Sequence, residues 1–157
     1  MIRAGVVTDL PELTRIRTAV TENHLSVEGM AELGITHVSI TAELRDGHLA
    51  CWVAMEGDAI AGFSMADRRD GSVFALFMDA AHEGKGHGSA LLAACEDWLR
   101  QQGHAEARLS TERDSRAFAF YRRRGWVEVP GEEGLPAGDA VLAKSLLQPS
   151  QRGPGPA

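Results

Sequence analysis

The stretch Asp79-Ala80-Ala81-His82-Glu83-Gly84-Lys85-Gly86-His87-Gly88-Ser89-Ala90-Leu91-Leu92 decides how this chain is read. It begins where a strand-like run, Val73 to Met78, ends. It runs into Ser89 to Gln102, where Leu91, Cys95, Trp98 and Leu99 recur on one helical face. Gly103 ends that helix, and Ala105 to Ser110 follows as a strand. Because a helix joins them, the two strands are predicted to lie parallel. The unit is strand, glycine loop, helix, strand.

Gly84, Gly86 and Gly88 sit where the strand gives way to the helix, and glycine there lets backbone N–H groups approach an anion without β-carbons in the way. The helix N-terminus adds roughly half a positive charge and several unpaired donors, and Lys85 adds a full charge beside it. A phosphate or pyrophosphate is the natural guest, against the plainer alternative of a merely flexible turn. A Walker loop needs G-x-x-x-x-G-K followed by Ser or Thr, whereas Gly84-Lys85 is followed by Gly86, so ATP hydrolysis is unsupported. Glu106 lies about 20 residues beyond Gly86, where a ribose-binding acid belongs in a dinucleotide fold. The spacing G-x-G-x-x-G is nevertheless absent, and too little chain remains for the second half of such a sheet.

Working outward, Cys51 to Met55, Ile60 to Ala66 and Val73 to Met78 are strand-like runs separated by Gly57-Asp58 and Asp70-Gly71, which predicts a three-strand antiparallel meander. Before it, Ile2 to Val7 reads as a strand, and Thr8-Asp9 opens a helix through Leu10, Leu13, Ile16 and Val20 with Pro11 in its first turn. From Glu22 to Gly47 the only regular pattern is a short helix over Val38 to Arg45. After the central unit, Asp114 or Ser115 caps a helix running to Arg124, Gly125 ends it, and Trp126 to Val129 and Ala140 to Leu146 are strands around a loop at Pro130 to Gly138. Residues 1–147 form one mixed α/β domain. The proline- and glycine-rich tail 148–157 is expected to be disordered.

Sixteen basic against 22 acidic residues give a net charge of -6, which leaves no surplus for neutralising nucleic-acid phosphates. No apolar run approaches a membrane span, and Met1-Ile2-Arg3-Ala4-Gly5 lacks the apolar core of a signal peptide, so the expected location is cytoplasmic. Cys51 and Cys95 stand far apart and read as buried thiols. The histidines at 24, 37, 48, 82, 87 and 104 have no ligand spacing, so no metal is expected.

With these pieces in place, the chain resembles the GNAT acetyltransferase superfamily. Leu76-Phe77-Met78-Asp79 and His82-Glu83-Gly84-Lys85-Gly86-His87-Gly88-Ser89-Ala90-Leu91-Leu92 look like its acyl-CoA motif, R/Q-x-x-G-x-G/A. Ala117-Phe118-Ala119-Phe120-Tyr121-Arg122-Arg123-Arg124-Gly125-Trp126 is similar to its second signature, A-x-x-F-Y-x-x-x-G-F/W. The resemblance implies a six- or seven-stranded, mostly antiparallel sheet with a central parallel pair and flanking helices, and it extends over residues 2 to 147. Two departures stand out: Glu83 falls where the family has Arg or Gln, and Ala80 where it often has Pro.

The implied activity is an acetyl-CoA-dependent N-acetyltransferase acting by direct attack of an amine of a small molecule or peptide in a ternary complex. The resemblance places the cofactor against Leu76, Phe77, Met78, Glu83, Gly84, Lys85, Gly86, His87, Gly88 and Ser89. It assigns carbonyl polarisation to the backbone N–H of Met78 and protonation of the leaving sulfur to Tyr121. Glu22, His24, Glu28, Asp67 and Asp79 are the candidates for the base or the acceptor pocket. One or two of Arg116, Arg122, Arg123 and Arg124 can meet the 3′-phosphate, and a homodimer is compatible with the family. The reversed charge at Glu83 leaves one alternative, a non-catalytic CoA-binding or sensing module of the same fold.

Overall fold

The computed structural model describes residues 1–20, 26–130 and 138–147. Glu22, His24 and the expected disordered tail 148–157 lie outside the described residues. The chain runs β1 (Ile2–Ala4), α1 (Leu10–Ala19), α2 (Val27–Glu32), α3 (His37–Arg45), β2 (Leu49–Glu56), β3 (Ala59–Asp67), β4 (Ser72–Met78), α4 (His87–Gln101), β5 (Glu106–Glu112), α5 (Arg116–Arg123), β6 (Val127–Glu128) and β7 (Asp139–Ser145), with 3-10 turns at Val7–Asp9 and Ala80–His82. The described strands form one seven-stranded sheet in the order β1-β2-β3-β4-β5-β7-β6. Every neighbouring pair is antiparallel except β4 and β5, as the helical crossover requires.

Local chemistry accounts for the boundaries. The two-residue turn between β2 and β3 has Gly57 at φ 58°, as a primed hairpin turn demands, and Gly71 at φ 73° closes the four-residue loop between Asp67 and Ser72. α4 starts at His87, two residues before the expected Ser89, because Gly86 takes φ 83° and serves as its N-cap. Ser115, not Asp114, caps α5: its hydroxyl accepts from the Phe118 N–H at 3.0 Å, while Asp114 adopts φ 68°. The helix α2 has no counterpart in the hydrophobic pattern. Ser26 opens it, accepting from the Gly29 N–H at 3.0 Å. The last strands are correctly placed, though β6 shortens to two residues.

Strand alternation divides the core between the two faces of the sheet. Cys51, Val53, Phe63, Met65 and Ala75 face α1, whose Leu10, Leu13 and Ile16 are buried on them. The opposite face carries Ala54, Ala61 and Ala66 under α4, where Leu91, Leu92, Cys95 and Leu99 are fully buried together with Trp126 and Leu142. Small residues on that face let α4 approach closely. The Ser64 hydroxyl donates to the Leu91 carbonyl at 3.0 Å, which sets the helix along the sheet. Glu96 is buried in the same layer with both oxygens satisfied, by Lys144 Nζ at 2.9 Å and Trp126 Nε1 at 3.2 Å.

Gly62 governs the end of β4. A β-carbon there would stand 2.8 Å from the Phe77 carbonyl oxygen and would also strike the Met78 thioether. Gly62→Ala is therefore expected to lose about 1–3 kcal/mol of stability through overpacking, measured by urea denaturation, and to displace the Phe77–Met78 backbone.

Candidate active site

The parallel pair is joined at one end only. Ser72 and Arg108 are register partners, and the Arg108 N–H donates to the Gly71 carbonyl at 3.1 Å, but no further β4–β5 pair follows among the described residues. β5 instead keeps its whole length, Glu106 to Glu112, in register with β7. The two strands therefore diverge toward Met78.

The β3–β4 register shows which backbone groups face the opening. The Asp79 N–H donates to the Ala61 carbonyl at 2.9 Å, so Gly62 and Met78 oppose one another as a non-hydrogen-bonded pair. Ser64 and Leu76, two residues along, are another. In such pairs the N–H and C=O point away from the partner strand, so those of Leu76 and Met78 point toward the diverging β5. Those of Phe77 are used within the ladder. An extended ligand can pair with Leu76 and Met78 as a missing strand would.

At the mouth of the divergence lies the glycine loop. Gly84 and Gly86 take φ of 80° and 83°, left-handed values open to glycine without strain, and a β-carbon on either would point into open space. They turn the chain into α4, whose first N–H groups have no intrahelical acceptor. The loop, the end of β4, α5 and the C-terminal end of α1 enclose a cleft of about 680 Å³. Leu76, Phe77, Met78, Glu83, Gly84, Lys85, Gly86, His87, Gly88 and Ser89 all line it, so the structure brings the expected cofactor residues together. The Phe120 ring packs against Gly88, 3.4 Å from where a β-carbon would stand, which fixes α5 on the first turn of α4.

Three charged arrangements surround the loop. Glu83, the residue of reversed charge, is met by Arg116 at 3.0 Å, so its charge is balanced at the rim. Arg124 lies over the Phe120 ring, its guanidinium carbon 3.7 Å from the centroid. It donates to the Ser89 hydroxyl from Nε at 2.8 Å and from Nη2 at 2.5 Å, which plants a fixed cation on the first turn of α4. The side chains of Lys85 and His87, together with His82, turn outward to the carboxylate of Glu56 at the end of β2. Sequence patterns did not single out Glu56. It lies 26 to 31 residues from its three partners, and nothing local marks it.

Tyr121 lines the cleft with its ring buried, at 5.4 Å from Phe120 and 5.9 Å from Trp126 between ring centroids. Burial pushes its phenol pKa up, so the hydroxyl stays protonated well into alkaline solution. The candidates for the base are scattered. Asp79 lines the cleft, but its bond to Arg15 at 2.7 Å holds its pKa below the usual carboxylate range, helped by the Ala81 N–H. Asp67 does not reach the cleft: it stands at the opposite end of β3, opposite Ser72, paired with Arg69 at 2.8 Å. Strand polarity separates it from Met78 by the length of β4. Glu28 is exposed on α2 and is not part of the cleft wall. Glu22 and His24 fall outside the described residues.

Among the described residues no group of His, Cys, Asp or Glu could hold a metal ion, and no helix is long and apolar enough to cross a membrane. Cys51 and Cys95 are free and buried, with burial pushing both thiols up to about 12, so neither is a nucleophile. A second cavity, of about 400 Å³, lies under α1, α2 and α3 against β3 and β4. Its lining is apolar apart from a few side chains, and α1 with the Arg17–Phe77 contact, 4.1 Å from guanidinium carbon to ring centroid, separates it from the cleft. The backbone donors are in the cleft.

Solved structures share this architecture. PaiA N-acetyltransferase of Thermoplasma acidophilum, in complex with coenzyme A, superposes with a TM-score of 0.75 at 17% identity, over 92% of this chain and 98% of that one. A ribosomal-protein-alanine N-acetyltransferase of Brucella melitensis gives 0.72 at 22% identity, over 92% and 99%. YncA of Salmonella typhimurium, solved with its cofactor acetyl-CoA, gives 0.69 at 19% identity, over 94% of each chain. No curated protein matches the sequence at a significant level. The family described as Acetyltransferase (GNAT) domain matches residues 21–140. With the splayed parallel pair and the glycine loop already evident in the fold, that match identifies the chain as a member of the GNAT acetyltransferase family.

Proposed function

We propose that the protein is an acetyl-CoA-dependent N-acetyltransferase that transfers the acetyl group directly to an amine of a small molecule or peptide in the cytoplasm. The observation that carries this reading is the opening between β4 and β5, with the Leu76 and Met78 amides turned into it and the α4 N-terminus at its mouth. A cofactor with a diphosphate at one end and an amide-bearing arm at the other has a complement for each part. The CoA and acetyl-CoA bound to structural neighbours support the same choice. Glu83, the one feature pointing to a non-catalytic sensor, is neutralised by Arg116.

In this reading the amides of residues 84 to 89 hold the diphosphate, with Arg124 supplying the cation that Glu83 does not. Acetyl-CoA, when bound, supplies the thioester whose carbonyl is open to attack. The Met78 N–H donates to that carbonyl oxygen and stabilises the charge that grows on it. Tyr121 protonates the departing sulfur. In water a phenol above its usual pKa of about 10 is a weak donor to a thiolate whose conjugate acid is near about 8.5. The enclosure that raises the phenol raises the thiol too, which narrows the mismatch. Asp79 is held as a poor proton acceptor by Arg15, so the amine passes its proton to water in the open cleft.

Thiol release from acetyl-CoA across an amine panel tests the activity; calorimetric heat with CoA and no release with any amine would sink catalysis. Tyr121→Phe should keep CoA affinity and lower kcat by roughly 10²-fold or more. Arg124→Ala should raise KM for acetyl-CoA about tenfold with a small effect on kcat, as loss of a charge-assisted contact of about 1.5–3 kcal/mol predicts. Because the Tyr121 pKa is raised, the group stays protonated as pH rises, so kcat should show no loss between about pH 8 and 10 from this residue; a fall there that vanishes in Tyr121→Phe would contradict the assignment.

A further inference from the structure

Resting on the acetyl-CoA reading, we infer that Glu56 is the positioning residue of the diphosphate loop, holding its backbone donors in place through His82, Lys85 and His87. Glu56 closes β2 immediately before the Gly57 turn. Its Oε2 accepts from His82 Nδ1 at 2.6 Å and from Lys85 Nζ at 3.1 Å, and its Oε1 accepts from His87 Nε2 at 2.7 Å. The three partners bracket the loop: His82 precedes it, Lys85 lies between its two left-handed glycines, and His87 is the first residue of α4.

Beyond the Glu83–Arg116 pair at the rim, the loop has little else to hold it. Between the 3-10 turn at Ala80–His82 and α4, Glu83 to Gly86 form only a turn and a bend, and the first bond back into the helix, from the Ala90 N–H to the Gly86 carbonyl, is long at 3.4 Å. Two glycines with open space around them would otherwise sample many conformations, and each would have to be lost when an anion binds. Bonds from one carboxylate to both ends and the middle of the loop remove that freedom beforehand. The histidine bonds, His87 foremost, pull the Glu56 pKa down to about 2, so the carboxylate is ionised and both rings donate to it.

Other uses of Glu56 fit less well. It is not among the cleft-lining residues, so it does not touch the reacting groups. The ring nitrogens bond directly to its oxygens, and these residues are not a group that could hold a metal. As a bare charge it would oppose an incoming diphosphate. That opposition makes the sign of its removal diagnostic: taking away a repelling charge tightens CoA, and taking away a clamp weakens it.

The test is calorimetry with CoA and steady-state kinetics on the wild type, Glu56→Gln, Glu56→Ala and, as a control, Glu43→Gln, which removes a carboxylate charge paired with His48 at 3.0 Å elsewhere in the fold. The expected result is CoA affinity about tenfold lower in Glu56→Ala, less so in Glu56→Gln, which keeps one acceptor oxygen. KM for acetyl-CoA should rise in step, kcat at saturation should stay within about twofold, and KM for the acceptor and the thermal midpoint should hold. Glu43→Gln should bind CoA as the wild type does. Equal or tighter binding in Glu56→Gln overturns the inference, as does a parallel loss of kcat, acceptor KM and thermal midpoint, which marks a general structural role. No heat from the wild type itself would overturn the acetyl-CoA reading and this inference with it, whereas heat from the wild type and from both Glu56 variants alike overturns this inference alone.

Discussion

A parallel strand pair exists only while both strands stay within ladder distance, about 4.8 Å, and here that condition holds at Ser72 and Arg108 and then fails. β5 stays in register with β7 over all seven residues from Glu106 to Glu112 as it leaves β4. β4 in turn stays with β3 through Met78, where Gly62 lacks the side chain that would push it away. The sheet therefore splits along one seam. The amides of Leu76 and Met78, which meet no β5 partner among the described residues, are a consequence of that division of partners, and a polar backbone turned to an opening can receive an external partner.

The chemistry around the seam is cationic in a chain of net charge -6, and it is so by arrangement more than by composition. Main-chain N–H groups at the start of α4 supply donors that carry no formal charge. Arg116 faces Glu83 and Arg15 faces Asp79 in pairs at the cleft rim, and such exposed pairs contribute about 0–1 kcal/mol each. They offset two carboxylates beside the glycine loop. Arg124 differs, since its stacking on Phe120 and its two bonds to Ser89 fix the direction of its charge. Preorganised groups of this kind act without the reorganisation that mobile surface lysines require.

Burial sorts the side chains that line the cleft from those packed away from it. At Cys51 desolvation and Asp9 outweigh the charge of Arg3, and at Cys95 desolvation outweighs the Ser64 hydroxyl, so both remain thiols packed in the two layers. Tyr121 is buried to a similar depth but lines the cleft. The histidines next to the loop each give one ring nitrogen to Glu56.

Patterns within a few residues were legible before any coordinates. Hydrophobic alternation from Cys51 to Met78, the turn pairs Gly57-Asp58 and Asp70-Gly71, and the helical face of Leu91, Cys95 and Leu99 determined the meander, α4 and the parallel crossover, because each depends on backbone geometry and side-chain period alone. The signatures around Gly84–Gly88 and Phe120–Trp126 marked the cleft, since both contain residues dictated by close approach. Only the tertiary structure decided what lies across the sheet: that β4 and β5 part, that Arg116 cancels Glu83, that Arg124 reaches Ser89, that Asp67 ends on the far side, and that Glu56 gathers His82, Lys85 and His87. The reason is physical. Those contacts join residues on different elements and depend on strand register and helix placement, whereas period and propensity act only between neighbours in the chain.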